Sequence, residues 1–510
     1  MNKQQAIEIV RDTFENSFDK GSFSTFIGNL LNEYERAEFS YTGKYIPDSF
    51  KNYVEKYERL GKYEDGEEKR VDVLIVHLRR ETAIERARSM QRNFIAGYLQ
   101  GKYGSSQQKD AALVAFVSPN GAKDWRFSLV KLDTKIEATE KGIKVRDEFT
   151  PAKRWSFLVG ANEKSHTAQT QFVPIMEDTE NNPTLGELEE AFNIEKVTKE
   201  FFEKYRGLFI WTKNELDKAV RRNSKTKADF ESKGIDTVNL AKKLLGQIVF
   251  LYYLQKKGWF GVPRDAEWGE GSKNFLRELF EKKHGDYKNF FNDILEPLFY
   301  DALRRDRSDE DHYYHHFKCK IPFLNGGLFD PMNNYDWVRT DILLPNELFS
   351  NKKGIASGSA LATTSYDEGN GILDIFDRYN FTVKEDEPFE KEVAIDPELL
   401  GKAYEKFNAI RPDNYAEYIK TLKSDNKNDE GKFNRQYGVF YTPREIVHYM
   451  CQQSLINYLY SELNSNAVYQ SLGEDQLDMF GNAAKSGQMD MIVEHRQMTE
   501  IPKQDIETLI

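Results

Sequence analysis

At 510 residues, with 39% hydrophobic and 30% charged residues, the chain is long enough for about three domains with buried cores. A net charge of −11 excludes a basic nucleic-acid wrapper, although a local basic channel is compatible with an acidic average. Only Cys319 and Cys451 are present, which excludes a disulfide framework and suits a reducing compartment. No run of about 18 apolar residues occurs and MNKQQAIEIVRDTF has no signal h-region, so a cytoplasmic protein without membrane contact is expected.

Apolar spacing predicts amphipathic helices over 3–18 and 23–34. The β-branched run 71-VDVLIVHL-78 suits a strand buried on both faces. A helix over 83–100 follows, then the strand 111-AALVAFVS-118, the alternating 124-DWRFSLVKL-132, and an edge strand at 154-RWSFLVG-160. Strand, helix, strand is the grammar of an α/β domain, here assigned to 1–160.

From about Asn182 the pattern becomes helical, with helices over 185–211 and 238–260 and further helix to about Asp301. The second is apolar on most of its circumference but interrupted by lysines, which fits the spine of a helical domain, 161–422. The stretches 304-RRDRSDEDH-312 and 423-KSDNKNDEGK-432 read as solvated loops, the latter a linker into 433–510. There, Thr442-Pro443 signals a helix start, and Ile446, Val447, Met450 and Leu455 recur on one face. The polar tail from Ser461 is expected to be mobile.

Two segments punctuate the middle. In 321-IPFLNGGLFD-330, Gly326 and Gly327 allow positive φ in a turn pinned by apolar neighbours. In 393-VAIDPELLGKAYEKF-407, Asp396-Pro397 opens a helix with Leu399, Leu400, Tyr404 and Phe407 on one face. The cluster 312-HYYHHFKC-319 offers His312, His315, His316 and Cys319, but these are too bunched for the spaced ligand pairs of a tetrahedral zinc site, and no metal is assigned to them.

Taken in order, 191-AFNIEKVTKEFFEKY-205, 251-LYYLQKKGWF-260, NGGLFD, 398-ELLGKAYEKF-407 and 438-GVFYTP-443 resemble the large adenine DNA methyltransferases of type IIG restriction-modification systems. The resemblance implies a nuclease-like α/β region, a mainly helical connector and the start of a Rossmann-like methyltransferase domain. It also implies S-adenosylmethionine as cofactor, double-stranded DNA as partner, and Phe440, Tyr441, Thr442 and Pro443 as cofactor contacts. The family's glycine-rich loop and its catalytic Asn-Pro-Pro-Tyr/Phe motif do not occur in these 510 residues. The chain therefore reads as a truncation, a broken frame or one subunit of a split enzyme, inactive alone as a methyltransferase. A scaffold that positions a partner methyltransferase or binds DNA is the alternative.

Nucleases of the PD-(D/E)xK type place one acid before, and an acid-x-lysine on, a central strand, where two carboxylates hold Mg²⁺. Alignment of 71-VDVLIVHLRRE-81 to that pattern puts His77 and Arg79 in the acid and lysine positions, with Asp65 as first acid and Asp72 or Glu81 as substitutes. Histidine brings no negative charge and arginine does not give up a proton, so the site is expected to be degenerate. Arg86, Arg88, Gln91 and Arg92 on the next helix are read as a solvated face, with phosphate contact the alternative.

Overall fold

The computed structural model describes residues 1–80, 84, 87–104, 107–119, 122–132, 136–139, 142–145, 152–324, 326–352, 369–382, 389–422, 428–437 and 442–471. The chain divides into two compact units, Met1–Gln436 and Tyr437–Ile510. No helix among the described residues is long and apolar enough to cross a membrane.

The first unit is α/β, organised on a mixed seven-stranded sheet. Its strands are β1 (Glu35–Thr42), β2 (Val54–Glu64), β3 (Arg70–Leu78), β4 (Ala111–Val117) and β5 (Asp124–Lys131). A separate hairpin, β6 (Ile136–Thr139) with β7 (Gly142–Val145), precedes β8 (Lys153–Gly160); β9 (Tyr313–Tyr314) and β10 (Cys319–Lys320) form a second hairpin, and β11 is Glu390–Glu392. The sheet runs β1-β2-β3-β4-β5-β8-β11, with β3 parallel to β4, β8 parallel to β11, and the other neighbours antiparallel.

Strand β8, expected at an edge, is interior. Glu390 and Glu392 of β11 register against Arg154 and Ser156, so a strand from the region read as helical connector completes the sheet of the region read as nuclease-like. Strands β1 and β2 carry no apolar run. Their sequences, ERAEFSYT and VEKYERLGKYE, bury only scattered positions, because β1 is the sheet's outermost strand and β2 is flanked by it.

Two helices, α1 (Lys3–Phe14) and α2 (Lys20–Leu30), open the chain. Each is shorter than its apolar pattern. Asn2 and Gln5 form a capping box on α1, and the Asp19 carboxylate accepts from the Ser22 N–H to start α2 afresh. Helix α3 (Arg88–Leu99) crosses from β3 to its parallel neighbour β4, followed by α4 (His166–Glu177), α5 (Leu185–Ala191), α6 (Glu195–Arg222), α7 (Ser224–Lys233) and α8 (Thr237–Gln255). The expected single helix over 185–211 is broken because Phe192 turns into the core, 5.4 Å from Phe127 and 5.2 Å from Phe157.

Side chains alternate between the two faces of each strand. One face carries Trp125, Phe127 and Phe157 and is sealed by Phe14 of α1, Phe23 and Phe26 of α2 and Phe172 of α4 in edge-on or tilted contacts of 5.4–5.9 Å. The other face, under α3, carries Asp72, Arg126, Ser128, Arg154, Ser156, Glu390 and Glu392, all buried. Helix α3 seals it with Phe94, 5.2 Å from Tyr57, and with Tyr98.

The second unit contains the helix Arg444–Ser471. Ile446, Val447, Met450 and Leu455, its expected apolar face, are exposed. The tail beyond 471 lies outside the described residues.

Candidate functional site

Among the described residues, the expected nuclease positions do not converge. Asp65 sits in the β2–β3 turn with one oxygen accepting from the Glu67 and Lys69 N–H groups (2.9 and 2.8 Å) and the other from the Leu185 N–H (2.7 Å) at the start of α5. Burial opposes its charge, but these backbone donors outweigh burial and hold the carboxyl below its usual range. Asp65 is thus a clamp between turn and helix, with both of its oxygens engaged by backbone donors.

Asp72 faces α3. It accepts a 2.6 Å hydrogen bond from the Tyr98 hydroxyl, with Lys109 Nζ at 3.8 Å. Burial pushes its pKa up, against the pull of Tyr98 and Lys109. His77, five positions along β3, points to the opposite face, so Asp72 and His77 cannot share a ligand. Glu81 lies outside the described residues. Arg79 is exposed and donates from Nε to the Lys51 carbonyl.

What the fold does bring to His77 is Glu58 of β2, which the sequence reading passed over. Glu58 Oε1 lies 3.1 Å from His77 Nε2 and accepts from Lys56 at 2.9 Å, while Oε2 accepts from Lys20 of α2 at 2.7 Å. Burial opposes the Glu58 charge, yet the two ammonium groups hold its pKa down to about 2. Burial, followed by Lys56, lowers that of His77. An anionic carboxylate beside a neutral imidazole is a pair of cation ligands, but two lysines already occupy the carboxylate, and a cation would have to displace them. Antiparallel pairing of Lys56 with His77 is the signal that would have found Glu58: an acid near the start of β2 comes to lie opposite the end of β3.

Beneath α3 lies an ionic layer. Arg126 Nη1 donates to Glu392 at 3.1 Å and to Ser156 Oγ at 3.0 Å; Arg154 Nη1 donates to Gln91 at 2.8 Å, and its Nη2 is 3.5 Å from Glu390. Arg88 lies 3.7 Å from both glutamates, and Arg92 lies 3.6 Å from Glu390. The residues expected to form a solvated face of α3 are therefore largely buried: the Arg88 and Arg92 side chains are 11% and 12% exposed. Arg86 lies outside the described residues.

Within the first unit, NGGLFD and the segment that opens at Asp396, two of the stretches that carry the family resemblance, pack on α8. Lys243 donates to the Gly327 carbonyl at 3.1 Å and Gln247 to the Leu328 carbonyl at 2.8 Å, fixing the NGGLFD turn, in which Gly326 takes φ 141°. Asn325 is outside the described residues. Tyr253 donates to the Asp396 carbonyl at 2.9 Å, at the start of the helix Pro397–Asn408. Gly246 lets that helix approach, since a Cβ there would collide with the Tyr404 hydroxyl. Phe407 packs on Tyr205 and Phe209 of α6 at 5.0 and 5.4 Å. In the second unit, Thr442 and Pro443 are exposed, and the Pro443 carbonyl accepts from Ile446 and Val447 as the helix Arg444–Ser471 begins. Phe440 and Tyr441 lie outside the described residues.

In the HYYHHFKC segment, β9 and β10 form the hairpin. Cys319 is buried and its thiol pushed up to about 12 by desolvation, whereas His315 points outward, 3.8 Å from Glu310. Among the described residues no group of three or more His, Cys, Asp or Glu side chains is placed to hold a metal ion. Compared with known proteins, the chain matches no family model, no curated protein and no solved structure.

Proposed function

We propose that this chain is the N-terminal part, or a subunit, of a site-specific adenine DNA methyltransferase and restriction endonuclease of a phage-defence restriction-modification system. The observation that carries the reading is the ordered series of segments resembling that family, together with the packing of NGGLFD, Asp396 and the helix Pro397–Asn408 around α8 and α6. In this reading S-adenosylmethionine supplies the methyl group in the complete enzyme. Phe440, Tyr441, Thr442 and Pro443 are the contact positions, at a helix start whose free N–H groups suit a carboxylate.

Among the described residues, the candidates for Mg²⁺ do not fit a cation site. Asp65 is engaged by backbone donors, Asp72 faces away from His77, and Glu58 is held by Lys20 and Lys56. Cleavage by this chain is expected to be weak or absent. The same use of both aspartates to hold the fold favours a second reading, a non-catalytic subunit that binds DNA or positions a partner methyltransferase.

Radiolabelled methyl transfer to mixed-sequence double-stranded DNA separates the two. The chain alone should transfer nothing. Addition of a polypeptide carrying the glycine-rich loop and the Asn-Pro-Pro-Tyr motif should yield methylated adenine if the chain is an integral part of the enzyme. A partner that methylates equally well without this chain would overturn that reading.

A further inference from the structure

Among the described residues, the layer under α3 holds four guanidinium groups, Arg88, Arg92, Arg126 and Arg154, within ion-pair distance of two carboxylates, Glu390 and Glu392. Arg126 and Arg154 are each 1% exposed. Guanidinium does not discharge at neutral pH, so among the described residues cations outnumber carboxylates by two in a buried layer, a costly arrangement unless another anion shares it. Four of the five contacts are long, 3.5–3.7 Å, so the carboxylates do not saturate the donors. The Nε of all four arginines, Nη2 of Arg88 and the hydroxyls of Ser118 and Ser128 have no hydrogen-bond partner, and neither does Glu390 Oε1.

The donors come from two sides. Arg88 and Arg92 lie one turn apart on α3, and Gln91 of that turn reaches down to Arg154. Arg126, Ser128 and Arg154 stand on the strands below, where Ser128 registers with Ser156 and Val130 with Arg154. Burial, with Arg126, Arg88 and Arg92 adding to it, brings Arg154 down to about 9 despite Glu390, a stress that an added negative charge would relieve.

We propose that this layer is a binding site for a doubly charged oxyanion of the phosphate class, held between the arginines of α3 and those of β5 and β8. Planar guanidinium forks and hydroxyls are the donor set that such an ion takes, and the layer is too enclosed for a duplex backbone. The proposal does not depend on the methyltransferase reading.

The test uses the full 510-residue chain. Thermal unfolding and calorimetric titration are run in sodium phosphate and in sodium chloride of matched ionic strength, with adenosine monophosphate as a second probe. Phosphate should raise the melting temperature beyond chloride, and Arg92→Gln should weaken its Kd about tenfold or more, the loss of one charge-assisted hydrogen bond. Tighter binding of the nucleotide would make the ligand a phosphate monoester, and binding of phosphate alone a free ion; both support the site. Absence of any phosphate-specific shift overturns it, as does a shift undiminished in both Arg88→Gln and Arg92→Gln. Should those variants fail to fold, hydrogen exchange on the unaltered chain decides: phosphate must protect amides of α3 and β11, and protection only elsewhere overturns the proposal.

Discussion

Arg126 and Phe127 are neighbours on β5, one 1% and the other 0% exposed, yet they enter different environments. Phe127 joins a ring-on-ring core with Phe14, Phe26, Phe172 and Phe192, where burial itself is the stabilisation. Arg126 joins a layer whose stability depends on charge being matched by partners, two of them on a strand more than 200 residues later in the chain. The aromatic face needs only apolar residues of the right size. The ionic face needs particular partners in place, and β11 supplies them.

That contrast can be broken first by deletion on each side. Phe127→Ala should cost about 3–5 kcal/mol in urea unfolding, as a large core ring lost to a cavity. Glu390→Ala should cost a similar 3–5 kcal/mol or so, by leaving buried cations without their carboxylate. A second change tells the two losses apart. Arg92→Leu should offset part of the Glu390→Ala loss, because the two residues are paired, but should add to the Phe127→Ala loss within about 0.5 kcal/mol, since they share no partner. Additivity in both combinations would mean that the ionic layer is not a coupled unit.

A smaller effect probes the other end of the ionic face. Tyr98→Phe removes the hydrogen bond to Asp72 and should cost about 1.5–3 kcal/mol. The folded Asp72 binds its proton more readily than the unfolded one, whose pKa is near 3.8. Its contribution is therefore full below pH 3.8 and declines as pH rises from there through the higher folded value. Asp72→Asn should flatten that part of the stability–pH curve; an unchanged slope would contradict the assigned direction.

The smallest effect lies at the rim. Glu58→Gln should cost about 0.5–1 kcal/mol at neutral pH, since its lysine partners are partly exposed. The folded pKa of Glu58 is depressed from 4.5 to about 2, so the difference between variant and parent should be full above pH 4.5 and vanish as pH falls to about 2. A difference that persists at lower pH would show that packing, not the ion pairs, holds Glu58.

Local pattern carried β3, β4, β5, β8 and the long apolar α8, because a β-branched run, a strict alternation or an apolar helix needs no knowledge of what packs on it. Capping chemistry at Asn2, Asp19 and Thr184 was equally present in the sequence and would have set the helix starts. Strands β1 and β2 were not legible, because their polar residues become strand only through pairing with β3. Register then decided the rest. It set Glu58 beside His77 and turned Asp72 to the other face, a separation that follows from the two-residue period of a strand but shows only once the pairing is known. Asp65 reads in sequence as a free acid before a strand and becomes a cap because Leu185, 120 residues away, brings an N–H to it. Likewise the arginines of α3 read as a solvated face; only the return of β11 beside β8 makes them part of a buried layer, since a charge pattern in one helix cannot reveal which distant carboxylates will cover it.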